Sequence, residues 1–167
     1  TGEVSGRLLR ELGCTWVEIG HAERRRIFLE TDRIAAAKVL AGHRNKLQSV
    51  VCVGESSKCN EQDAAQECLV QIQSVLDVLP SGVPIVFAYE PNWAIGVDRP
   101  ADPTYINLVL GIIRTELRSQ ALQLRCIYGG SAGPGLYRRL ADHVDGLFLG
   151  RRAHDSRTFA KILDEVM

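Results

Sequence analysis

No apolar run in this chain approaches the ~20 residues that a membrane-spanning helix needs, so a membrane-embedded function is not expected. Excess charge is missing too. Lys and Arg total 20 and Asp and Glu total 20, which removes any global pull toward nucleic acid or acidic membranes. No signal peptide is read at the front. CxxC spacing is absent: the five cysteines, at 14, 52, 59, 68 and 126, are odd in number and mostly sit in apolar segments. Free buried thiols suit that pattern, and with them a reducing, cytoplasmic setting. No linker, low-complexity tract or composition shift divides the chain. What is present is 167 residues, 46% hydrophobic, enough for one core, so 1–167 reads as a single domain.

Five short apolar runs stand out: GCTWVEIG (13–20), QSVVCVG (48–54), VPIVFAYE (83–90), LQLRCIYGG (122–130) and HVDGLFLG (143–150). Each is rich in β-branched or aromatic residues and closes on Gly or a polar residue, as strands buried on both faces do. Helical patterns separate them, over 31–46, 60–79, 102–117, 133–140 and 156–167, with one more at 5–12 before the first strand. Strand and helix thus alternate five times, which predicts an α/β protein with a parallel sheet.

Parallel α/β proteins keep their chemistry at the carboxyl ends of the strands. The segments found there are HAERR, GES, EPNWAIG, GGSAG and GRRAHD. Taken singly each has an ordinary reading: His21 as a solvated helix start, Glu90 as a cap or ion-pair carboxylate, Gly129–Gly130–Ser131 as a tight turn, Gly150 as strand-exit punctuation, Trp93 as core, and Glu23 with the arginines after it as a solvated helix face. Their placement after successive strands lifts the set. Glu90 can act as a base if closure excludes water and raises its proton affinity. His21, at a helix start where the dipole favours an uncharged ring, can donate to a carbonyl oxygen as negative charge develops. Backbone N–H groups around Gly130–Ser131 and Gly150–Arg151 suit a phosphate dianion. Pro91 stiffens one hinge of a loop whose apolar tip can close over a small substrate.

HAERR, VCVGE, AYEPNWAIG, YGGS and DGLFLG, in that order and spacing, resemble the triosephosphate isomerase family over essentially the whole chain. The resemblance implies a TIM (β/α)8 barrel, of which this chain supplies about strands 4 to 8, a partial barrel with its front βα units missing. It implies aldose–ketose isomerisation of a small phosphorylated sugar, glyceraldehyde 3-phosphate and dihydroxyacetone phosphate, by enediolate proton transfer, as in glycolysis and gluconeogenesis. By resemblance Glu90 is the base and His21 the electrophile, and Glu23 is the carboxylate behind the histidine loop. Pro91, Asn92, Trp93, Ala94, Ile95 and Gly96 form the lid, and Tyr128 its latch. Gly96, Gly130, Ser131, Gly150 and Arg151 bind phosphate. No metal or organic cofactor is implied. The implied partners are the sugar phosphate and a second subunit, with an ion pair between Glu3 and Arg24 across a homodimer.

Departures from the family pattern shape the rest. No lysine matches the family's Asn-x-Lys element: Lys38, Lys46, Lys58 and Lys161 fall in helices or loops away from the strand ends. Near-inactivity of the 167 residues alone is therefore expected. Ala22 stands where the family usually has serine. The ending GLFLGR is similar to that of relatives acting on tetrulose phosphates such as erythrulose phosphates, which leaves that substrate as an alternative. A non-catalytic truncated scaffold or assembly module is the alternative of another class.

Overall fold

The computed structural model describes residues 2–97, 99–119, 124–140 and 142–166. Thr1, Leu122 and Gln123 at the front of the expected fourth strand, and Met167 in the expected last helix lie outside them.

Five strands, β1 (Trp16–Ile19), β2 (Gln48–Val53), β3 (Ile85–Tyr89), β4 (Arg125–Tyr128) and β5 (Gly146–Leu147), form one parallel sheet in chain order. Helix α1 (Gly6–Glu11) precedes the sheet. Between strands come α2 (Ala22–Phe28), α3 (Asp32–Arg44), α4 (Glu61–Leu76), α5 (Pro103–Ser119) and α6 (Tyr137–Leu140), and α7 (Ser156–Val166) follows β5. The expected α/β alternation is what the chain adopts. Two elements differ. The helix expected over 133–140 starts only at Tyr137, because Pro134 and a left-handed Gly135 (φ +84) hold the chain in turns. Residues 22–28 form a helix of their own, and their arginines are not a simple solvated face: Arg24 is buried and Arg25 half-buried.

Side chains open the helices. Ser5 Oγ accepts from the Leu8 N–H at 3.2 Å and Asn60 Oδ1 from the Asp63 N–H at 2.9 Å. Asp102 accepts from the Thr104 N–H at 2.7 Å, just ahead of Pro103, whose missing N–H costs nothing in a first turn. Small residues then let α3 and α4 lie close: Ala35, Ala36 and Gly42 face inward on one, Ala64, Ala65 and Cys68 on the other.

Burial shows which sheet face the helices cover. Ile19, Val51, Val53, Ile85, Phe87, Tyr89, Cys126 and Tyr128 join the core with Ile72, Val75, Ile106, Leu110 and Ile113. Their neighbours in the two-residue alternation lie on the other face. There Glu18 and Arg125 are exposed, Val50, Val86 and Ile127 are half-buried, and Trp16 keeps 47% of its surface open. The expectation of strands buried on both faces is therefore corrected. Helices cover one face, and on the other only the carboxyl-end residues such as Cys52 and Ala88 are fully covered.

All five cysteines are free thiols, three of them buried. Burial pushes Cys52 and Cys68 well above the ordinary thiol range and Cys126 up to about 11. No described helix is long and apolar enough to cross a membrane.

Candidate active site

Glu90 extends β3 by one residue: its N–H donates to the Val53 carbonyl at 2.8 Å, while the Gly129 N–H donates to the Tyr89 carbonyl at 2.9 Å. Two glycines on flanking strands leave room for it. A Cβ on Gly129 would lie 2.3 Å from Glu90 Oε1, and one on Gly54 would lie 1.9 Å from the Glu90 carbonyl oxygen. The carboxylate is 6% exposed, and its Oε2 is buried without a hydrogen-bond partner. Burial raises its proton affinity above the ordinary carboxylate range. His21 pulls the other way, Glu18 adds to the rise, and the Cys52 thiol and Gly130 backbone offset it in part.

His21 caps α2, and its ring Nδ1 accepts from the Glu23 N–H at 3.3 Å. An accepting Nδ1 carries no proton, so the ring proton sits on Nε2. That nitrogen faces Glu90 Oε2 at 3.7 Å. Glu23 Oε2 stands 4.0 Å from the same Nδ1. Glu90 lines a tight crevice with no room for a water, shared with Gly20, Ala22, Cys52 and Asn92, and His21 lines a neighbouring hollow of about 700 Å³ beside β1. Gly20 lines both spaces, and neither is lined by both Glu90 and His21, whose side chains come within 3.7 Å. A larger hollow of about 890 Å³ lies between α4 and α5, with Glu116 and His143 among its lining residues.

Sequence reasoning missed Glu55. It is fully buried two residues past β2, and it gathers three donors: Trp93 Nε1 at 2.7 Å, the Tyr105 hydroxyl at 2.8 Å and the Tyr89 hydroxyl at 3.2 Å. Its carbonyl also accepts from the Asn92 N–H at 3.1 Å. The segment Pro91 to Gly96 thus lies fastened to the β2 exit, with Ala94 buried and Trp93 half-buried and edge-on to Tyr105, 5.8 Å between centroids. Burial pushes the Tyr89 and Tyr105 hydroxyls far up, so both remain donors. The signal was in the sequence: an acidic residue closing VCVGE, right after a buried strand, needs partners.

The β4 exit turns on Gly130 and Ser131, both left-handed at φ +85 and +56. Ser131 tolerates this with its hydroxyl donating to the Val97 carbonyl at 2.5 Å, one residue past Gly96. Tyr128 is wholly buried. Its hydroxyl reaches the Gly130 carbonyl at 3.2 Å and the Ala101 backbone, a tie on the far side of Gly96. Gly96 is left-handed at φ +77. Gly150 and Arg151 follow β5 in exposed positions. Histidine, glutamate and the paired glycines come together. The Arg151 side chain is held by no hydrogen bond or ion pair among the described residues.

Two further expectations are corrected. Glu3 and Arg24 pair within one chain at 2.6 Å, because the left-handed Gly2–Glu3 turn lays that segment over Arg24, which also holds Glu30 at 2.6 Å. Lys58 is not remote from the strand ends: it sits in the loop after β2, 5.2 Å above the Trp93 ring. Lys38 pairs with Glu30, Lys46 precedes β2 and Lys161 lies on α7. Among the described residues no three His, Cys, Asp or Glu side chains group as metal ligands would.

A family model described as triosephosphate isomerase matches residues 1–166. The L-erythrulose-1-phosphate isomerase of Pectobacterium atrosepticum is 50% identical over 99% of this chain and 66% of its own length. A Synechococcus triosephosphate isomerase is 37% identical over 98% of the chain and 66% of its own, and that of Moorella thermoacetica 39% over 98% and 70%. The chain therefore spans about two thirds of the length of these curated relatives. With a parallel sheet, an acid and a histidine at its rim and a match along 1–166, the chain belongs to the triosephosphate isomerase family.

Proposed function

We propose that residues 1–167 form one domain supplying about strands 4 to 8 of a (β/α)8 barrel, and that it carries the proton-transfer centre of a sugar-phosphate isomerase. One observation carries this reading: Glu90 Oε2, buried and unpartnered, faces His21 Nε2 at 3.7 Å. Glu90 removes a proton from the carbon beside the substrate carbonyl. His21 donates to the carbonyl oxygen as the enediolate forms, and the protonated Glu90 returns its hydrogen to the neighbouring carbon. Glu23 holds the histidine ring, Pro91 to Gly96 exclude water, and Tyr128 steadies the lid. The N–H groups of Gly96, Gly130, Ser131, Gly150 and Arg151 take the phosphate.

No lysine of the chain matches the family's Asn-x-Lys element, so the 167 residues alone turn over little, and a segment bearing an Asn-x-Lys strand restores the rate. The substrate is a triose phosphate or, favoured by the 50% identical relative and by Arg151 after Gly150, a tetrulose phosphate such as L-erythrulose 1-phosphate. A second copy docks at the contiguous exposed residues Ile27, Phe28 and Leu29, the last with 76% of its surface open.

The test compares isomerisation of triose and tetrulose phosphates by the chain alone and with the lysine-bearing segment added. Activity only in the complemented protein supports the reading, and the preferred sugar names the substrate. Ready turnover by the bare chain would remove lysine from the mechanism. Silence in both would favour the scaffold alternative.

A further inference from the structure

Trp93 is held at its edge and on its face by one loop. Its Nε1–H donates to the Glu55 carboxylate at 2.7 Å, and Lys58 Nζ stands 5.2 Å from the ring centroid, over the face. Glu55 and Lys58 both lie between β2 and α4. That loop is fixed to α4. Gln71 makes two bonds of 3.0 Å with the Gly54 backbone, Glu67 Oε1 accepts from the Ser56 N–H at 3.0 Å, and Asn60 caps the helix. The indole, half-buried, thus meets an anion and a cation carried on one anchored piece of chain. The two contacts reinforce each other. A carboxylate at the N–H pushes electron density into the ring, and a denser ring face holds a cation more strongly.

We propose that Lys58 is a positioning residue of the lid. With Glu55 it holds Trp93, and through Trp93 the segment Pro91 to Gly96, against the β2 exit. The Asn92 N–H bonds the Glu55 carbonyl in the same place, at 3.1 Å. Pro91 follows Glu90 directly, so release of the indole frees the backbone beside the base. The use of this hold in turnover rests on the isomerase reading. A lid that is fastened for more of the time shuts water away from Glu90 and keeps the Gly96 N–H in place for phosphate.

The test follows hydrogen exchange of the Trp93 indole N–H by NMR in the 167-residue protein, with Trp16→Phe to assign the other indole signal. Lys58→Met keeps an apolar stem and removes the charge, Lys58→Arg keeps the charge, and Lys58→Glu reverses it. Lys58→Met is expected to speed exchange about two- to fivefold with the thermal midpoint unchanged. Lys58→Arg restores protection, and Lys58→Glu loses more than Lys58→Met. In the lysine-complemented protein, Lys58→Met is expected to raise KM for the sugar phosphate by up to the same factor while kcat moves less, because bound sugar then holds the lid itself. Exchange equal to wild type in both Lys58→Met and Lys58→Glu overturns the role of Lys58 and leaves the isomerase reading standing. Faster exchange with KM unchanged overturns its part in turnover. Silence of the complemented wild type toward both sugars overturns the isomerase reading, while the exchange rates still decide the hold on Trp93.

Discussion

Glu55 and Glu90 leave neighbouring strands at the same end of the sheet, and both are buried. Three side-chain donors surround Glu55, whereas Glu90 keeps one oxygen without a partner. A buried carboxylate with its lone pairs taken is a fastener, since moving it costs several hydrogen bonds at once. A buried carboxylate with an open oxygen is under strain to bind a proton, and that strain is usable chemistry. The fold keeps the two apart by packing: tyrosine and tryptophan around the first, glycine and a histidine ring around the second.

The contrast can be broken in order of effect. Glu90→Gln, in the lysine-complemented protein, is expected to slow substrate C–H exchange into D2O about a thousandfold, read by NMR. Exchange within tenfold of wild type would mean Glu90 is not the base. Glu55→Ala leaves three donors unpaired, two of them on the buried Tyr89 and Tyr105, and is expected to cost ~3 kcal/mol in urea unfolding. A loss under about 1 kcal/mol would show that Glu55 is no fastener. Gly129→Ala puts a methyl where the Glu90 carboxylate lies, with no left-handed backbone to strain. Activity is expected to fall about a hundredfold with little change in stability.

The smallest effect concerns pH. Burial raises the folded-state proton affinity of Glu90. A raised carboxyl stabilises the fold fully below its unfolded pKa, and that contribution is lost as pH climbs through the folded one. Glu90→Gln removes the penalty, so it should be more stable than wild type at neutral pH by roughly 1 kcal/mol, with the gap closing in acid. Thermal melts between pH 4 and pH 8 measure it, and a gap independent of pH would deny the strain.

Much of this was legible in the residues. The order of strands followed from five apolar runs separated by helical periods, and Glu90 and His21 from what closes the third and first runs. The capping residues Ser5, Thr31 and Asn60 mark helix starts where they stand. Less legible was anything decided by distant partners. Nothing local says that Arg24 turns inward, because the cause is Glu30 six residues on and Glu3 far upstream. Glu55 could not be singled out locally, since its donors come from 34 to 50 positions away. The open sheet face could not be read from apolar runs, because Val50 and Val86 look like core residues whether or not anything covers them.

Gly54 carries a consequence for variation. Every other amino acid brings an atom into the carbonyl that precedes Pro91, whichever rotamer it adopts. A saturation library at that codon, sorted for folded protein, should return glycine almost alone, while neighbouring Ser56 and Ser57 accept wide replacement. The seat of Glu90 is thus guarded by a site that has no functional group of its own.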